Sequence, residues 1–139
     1  MHVLIVNLIG VLGIAGFLIA AYIYGKKKAK KKLVCPRYSN CDTVIHSDYS
    51  KILGIPVEVL GMIYYAFIGT AYSFVFIFGL WSMTVALILI GISGCAVLFS
   101  VYLVSIQAFV LKHWCMWCLC SAFISISIFI LSYIHILRY

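Results

Sequence analysis

Charge is what this sequence most lacks. Of its 139 residues only 9% are charged, and the acidic ones are just three, Asp42, Asp48 and Glu58. Soluble domains are roughly a quarter charged and about half apolar; a chain that is 66% hydrophobic, with mean hydropathy +1.20, falls outside that class. It reads as an integral membrane protein. No glycine-rich dinucleotide fingerprint is present, which argues against a nicotinamide cofactor. No basic segment precedes the first apolar run and lysines follow it, so that run reads as a retained helix rather than a secretory signal peptide. There is no internal repeat, and no low-complexity stretch beyond "KKKAKKK" at residues 26–32.

What the sequence does have is long uncharged runs. A spanning helix needs about 20 apolar residues, because roughly 30 Å of hydrocarbon is crossed at about 1.5 Å per residue. Val3 to Tyr24 is one such run, and Val59 to Leu111 is 53 uncharged residues, enough for two helices. "FGLWSM" (Phe78 to Met83) supplies the break between them, with Gly79, Trp81 and Ser82 as a short interfacial turn. The expected architecture is all-α, a single membrane domain over residues 1–139. Its four transmembrane helices fall at about 3–24, 59–80, 83–111 and 114–137, with a polar loop over 25–58. Gly10, Gly13 and Gly16 suit close helix packing.

The polar loop holds all three acids. Ile45, Tyr49, Ile52 and Leu53 recur at helical spacing, Asp42 suits a first turn, and Gly54 and Pro56 suit a stop. Residues 41–53 therefore predict a short amphipathic helix on the membrane surface.

The cysteines fall into pairs. Cys35 and Cys41 lie in the polar loop; Cys115 and Cys118 form a C-x-x-C at the start of the last span. With four spans, the first and third connections share one membrane face, so both pairs do too. Cys115 and Cys118 stand at i and i+3 on one helical face. Cys120 is about 200° round from Cys118 at roughly 100° per residue, and faces elsewhere. Cys95, mid-span, and Cys120 read as small buried hydrophobes. Helix N-termini lower thiol pKa values, and the thiolate is the nucleophile of disulfide exchange. A loop pair can meet a soluble thiol partner and pass electrons to a fixed pair at the membrane edge. The final acceptor beside hydrocarbon should itself dissolve in lipid, and a quinone fits.

"CPRYSNCDTVIHSDYSKILGIPVEVLG", followed two helices later by "WCMWC", resembles the vitamin K epoxide reductase family in its compact microbial form, from about Cys35 to Ala122. The resemblance implies that Cys35 exchanges with a separate thioredoxin-like protein, that Cys41 exchanges with Cys115, and that Cys118 faces a membrane quinone such as menaquinone. It also implies quinone contacts from Ser47, Val57, Leu60, Tyr64 and Ala122. Read locally, Ser47 is equally a helix hydrogen-bonder, and Tyr64 and Tyr65 are equally interfacial or packing aromatics. Animal members carry a tyrosine where Ala122 stands and an asparagine near Val57. These departures favour quinone-linked disulfide formation over epoxide reduction, which stays the alternative.

Two rivals belong to other classes. A four-cysteine metal site would need tighter knuckles than the Cys35/Cys41 pair offers, so no metal is expected. A non-catalytic adaptor would use the lysine run on anionic lipid and leave the cysteines unexplained. The lysine run suits anionic lipid in either case, and no nucleic-acid partner is expected. The thiol-bearing side holds nine basic residues, Lys26, Lys27, Lys28, Lys30, Lys31, Lys32, Arg37, Lys51 and Lys112, against Arg138 alone on the other. The positive-inside rule then predicts an inverted placement in the cell membrane, with the thiols facing the cytoplasm; the exoplasmic face is the alternative.

Overall fold

The computed structural model describes residues 1–29, 51–52, 54–112 and 115–138. Four helices in it are long and apolar enough to cross a membrane: α1 (His2–Lys28), α2 (Val57–Phe78), α3 (Met83–Ser105) and α4 (Met116–Arg138). A π-helical turn, Ile106–Leu111, extends α3. Pairing of Lys51–Ile52 (β1) with Ile55–Pro56 (β2) adds a two-residue antiparallel ladder ahead of α2. Lys51 and Ile52 are thus strand, where the end of a surface helix was expected; the rest of that expected helix, residues 41–50 and Leu53, lies outside the described residues. Gly54, with φ +81°, serves the turn of this small hairpin, a conformation glycine adopts at no steric cost. Pro56 opens α2 with its fixed φ of −59°.

The expected break between the second and third spans is where the sequence put it. α2 ends at Phe78 because Gly79 takes φ +62° as its C-cap. Ser82 then caps α3, its hydroxyl accepting from Val85 N–H at 3.2 Å.

Around the bundle, α1 packs against α2 and α4, and α4 packs against α3. α2 and α3 make little contact. The core, built on Ile9, Ile68, Leu89 and Ile128, fills the half of the bundle near the 79–82 turn, and α3 reaches it only through its first turns. At that end Trp81 lies against the His135 ring at 4.4 Å, and His2 meets His135 edge-on at 5.1 Å. Beyond Ser93, α3 buries no further residue, and a space opens between it and α2.

Two glycines of α1 set how closely α2 approaches. A Cβ on Gly16 would fall 2.5 Å from Tyr65 Cε1, and one on Gly13 would fall 3.3 Å from the Tyr65 carbonyl oxygen. Gly10 has no such neighbour within 4 Å and takes no part in the close packing expected of all three. With its ring seated on Gly16, Tyr65 donates from Oη to Ser121 O at 2.7 Å, and the Oγ atoms of Ser121 and Ser125 lie 2.8 and 2.9 Å away. One side chain ties three helices.

Candidate functional site: a dithiol beside an apolar cavity

α1 ends, α2 begins and α4 begins at one face of the bundle. Ile23 of α1 packs on Cys115, and Lys27 Nζ donates to Glu58 Oε2 at 3.3 Å. Tyr22 and Trp117 lie with ring centroids 4.8 Å apart beside them. Both polar connections that flank the cysteine motifs therefore start from this face, as the four-span parity requires.

Cys115 stands just ahead of α4 rather than in its first turn: Leu119 N–H donates to its carbonyl at 3.0 Å, the bond that begins the helix. It is fully buried. Cys118 N–H, three residues on, points at Cys115 Sγ from 3.4 Å. The sulfur therefore occupies the place of an N-cap oxygen, where the positive end of the helix favours negative charge. The Cys115 thiol is held below its ordinary value. The chief cause is the Cys118 thiol hydrogen bond, aided by backbone N–H groups of Cys118 and Trp117; burial opposes it.

Cys115 N–H has its own partner. Gln107, in the π-helical turn, accepts from it through Oε1 at 3.2 Å, in a site where Gln107 is 3% exposed. Wider π turns push side chains off the α register and recur at functional sites. Lys112 closes the turn at φ 54°, the positive-φ non-glycine residue of the described chain. Sequence reading missed Gln107. The available signal was an amide in an otherwise apolar span, eight residues before Cys115.

The space between α2 and α3 is a cavity of about 370 Å³ whose walls come from all four helices and the π turn. Val57, Leu60, Tyr64 and Ala122, four of the expected quinone contacts, are on its wall, and so are Tyr65, Gln107, Glu58 and Cys118. The fifth, Ser47, lies outside the described residues, as do Cys35 and Cys41. Among the described residues, Tyr64 Oη is buried without a partner within hydrogen-bond distance, and its neighbour Ser93 Oγ is buried in the same way. Cys95 is exposed on the cavity wall and Cys120 is exposed on the bundle's outside, so neither is the buried hydrophobe expected. α4 does separate Cys120 from the cavity while turning Cys118 toward it, as the i to i+3 geometry requires. Among the described residues no three His, Cys, Asp or Glu side chains gather as a metal-ligand set.

The arrangement places a dithiol, one sulfur activated by a helix start, against an apolar space inside a membrane bundle. The sequence model of the vitamin K epoxide reductase family matches residues 7–133 of the 139. No curated protein matches the chain.

Proposed function

Because the chain belongs to the vitamin K epoxide reductase family, and is a multi-pass membrane oxidoreductase of that quinone-linked type, we propose that it makes disulfide bonds. In this reading a thioredoxin-like protein dithiol gives up two electrons, which pass through Cys35 and Cys41 to Cys115 and Cys118 and then to a membrane quinone. The observation that carries the reading is the position of Cys118: bonded through its N–H to Cys115 Sγ and standing on the wall of an apolar cavity.

Each half of the chemistry has a place. Disulfide exchange needs an attacking thiolate, and Cys115 is the thiol favoured in that form. The quinone ring needs an apolar slot with a few polar anchors. Val57, Leu60 and Ala122 furnish apolar wall, and the buried, unpartnered Tyr64 hydroxyl is a donor for a quinone carbonyl. Val57 and Ala122 put apolar side chains where animal members carry an asparagine and a tyrosine, which favours disulfide formation over epoxide reduction. The thiol-bearing face is proposed to be cytoplasmic, on the basic residues of the 26–51 segment and Lys112.

The test is quinone reduction by the purified chain with a thioredoxin-like dithiol as donor. Turnover is expected, with one disulfide formed in the donor per quinone consumed. Cys95→Trp, which projects a large ring into the cavity, should raise KM for quinone about tenfold or more while the dithiol stays reactive to alkylation. Dithiol oxidation that proceeds equally well without quinone would sink the reading.

A further inference from the structure

Glu58 plays no part in the thiol chemistry above. Yet it is the acidic side chain of the described residues, and it stands on the cavity wall. Its side chain is 9% exposed and that of its partner Lys27 is 11% exposed. Burying an ion pair this far brings little net stability over an apolar pair, and ionisable groups within membrane segments mark proton and substrate routes. A first-turn acid complements the α2 dipole wherever it points; this one lines the space that Cys118 also lines, and its field reaches both thiols.

Quinone reduction needs a proton carrier in that space. Besides Glu58, the titratable groups on the cavity wall among the described residues are Tyr64, Tyr65, Cys95 and Cys118. A phenol is not a base near neutrality, and the Tyr65 hydroxyl is committed to Ser121 and Ser125. Cys118 is a reactant. Cys95 sits on the α3 wall, without the cationic partner that Glu58 has in Lys27.

We propose that Glu58 carries a proton from the Cys115–Cys118 pair to the quinone, with Lys27 holding its carboxylate in place. This rests on the quinone-linked reading above. As the sulfur–sulfur bond forms, both S–H bonds break and the pair loses two electrons; the quinone gains them and becomes a quinol. Glu58 accepts one thiol proton and delivers it to a quinol oxygen. The other thiol proton leaves Cys115 to solvent at the membrane face, and one from solvent completes the quinol. Among the described residues, the charged and titratable groups around Glu58 are Lys27 from α1, Cys115 just ahead of α4, Cys118 from α4, Cys95 on the α3 wall of the cavity, and Tyr64 on its own helix.

The experiment uses the full chain in nanodiscs, dithiothreitol as donor and a short-chain benzoquinone as acceptor, with kcat and KM followed against pH. Glu58→Gln is expected to lower kcat at pH 7 about a hundredfold, the size of a lost general acid–base group, with a much smaller change in KM and loss of the acidic limb of the profile. Glu58→Asp should retain that limb at a reduced rate. Lys27→Gln, which removes the ammonium hydrogen-bonded to Glu58 Oε2, should lower kcat by less than Glu58→Gln does. A Glu58→Gln enzyme with kcat within about twofold of the parent and an unchanged limb overturns the proposal. If that variant does not fold, a Glu58→Asp enzyme with kcat at pH 7 within about twofold of the parent does so. Absence of quinone turnover in the parent chain overturns the function proposed above and this inference with it, an outcome distinct from turnover that ignores Glu58.

Discussion

Cys118 N–H lies 3.4 Å from Cys115 Sγ, so the first thiol of the C-x-x-C caps the helix that carries the second. The pair is built into a helix start rather than decorating it, and its chemistry and its fold share one contact.

That contact sets the first expectation. Cys115→Ala and Cys118→Ala should each abolish turnover, and Cys120→Ala, on the outer surface, should not. Alkylation of Cys115 should follow pH with an inflection below the ordinary thiol value of about 8.5, since its pKa is lowered chiefly by the Cys118 thiol. In Cys118→Ala that inflection should move up, as a donor to the thiolate is lost. Rate constants for iodoacetamide labelling against pH give both results. Stability has the matching sign. A lowered thiol pKa adds stability above the unfolded value, and this is lost as pH falls through the folded one.

Gln107→Leu should cost about 1–3 kcal/mol, the penalty for a buried N–H left without its acceptor. Gln107→Glu keeps an acceptor at the same place and should be milder. Thermal unfolding in nanodiscs measures the order, and equal losses in the two variants would mean that the Cys115 N–H bond is not the relevant contact.

The two ends of the glycine series in α1 should behave oppositely. Gly16→Ala drives a methyl into the Tyr65 ring and should destabilise by about 1–3 kcal/mol, the usual range for overpacking. Gly10→Ala meets no neighbour and should be neutral. Paired melting curves decide it.

The relay through the loop has its own intermediate. In Cys35→Ala, mass spectrometry of non-reduced digests should show a Cys41–Cys115 bond within one chain. Finding only Cys115–Cys118 bonds under every redox condition would count against the relay.

Orientation is decided by a membrane-impermeant thiol reagent on intact cells. With the thiols inward, reduced Cys35 should label only after permeabilisation; efficient labelling from outside would reverse the assignment.

The four spans were legible because hydrocarbon thickness imposes a length that any uncharged run of 20 or more residues announces. The turn at Gly79 and Ser82 was legible because positive φ and capping are properties of single residue types. The hairpin at Lys51–Pro56 was not. Ile52 and Leu53 fit a helical period as well as a strand, and periodicity cannot arbitrate runs so short. Gly54, expected to stop a helix, instead takes φ +81° in the hairpin turn. The site divided in the same way. The Cys115–Cys118 face follows from 100° per residue. Gln107 and Glu58 required knowing that α3 unwinds to a π turn and that α2 starts early enough to carry residue 58 into the cavity, both of which depend on packing between distant helices.

The uneven lengths of the spans couple this enzyme to its solvent. The apolar helix from Met83 to Val110 has 28 residues, against 22 for Val57 to Phe78. At about 1.5 Å per residue it is about 42 Å long in a hydrocarbon layer of roughly 30 Å. Such a helix meets the mismatch by tilting, and the cavity lies along the part of α3 that buries no residue beyond Ser93. A change of that tilt would alter the wall that α3 gives the cavity. Turnover in nanodiscs of different lipid chain length is therefore expected to differ, with the thickness of the hydrocarbon as the variable.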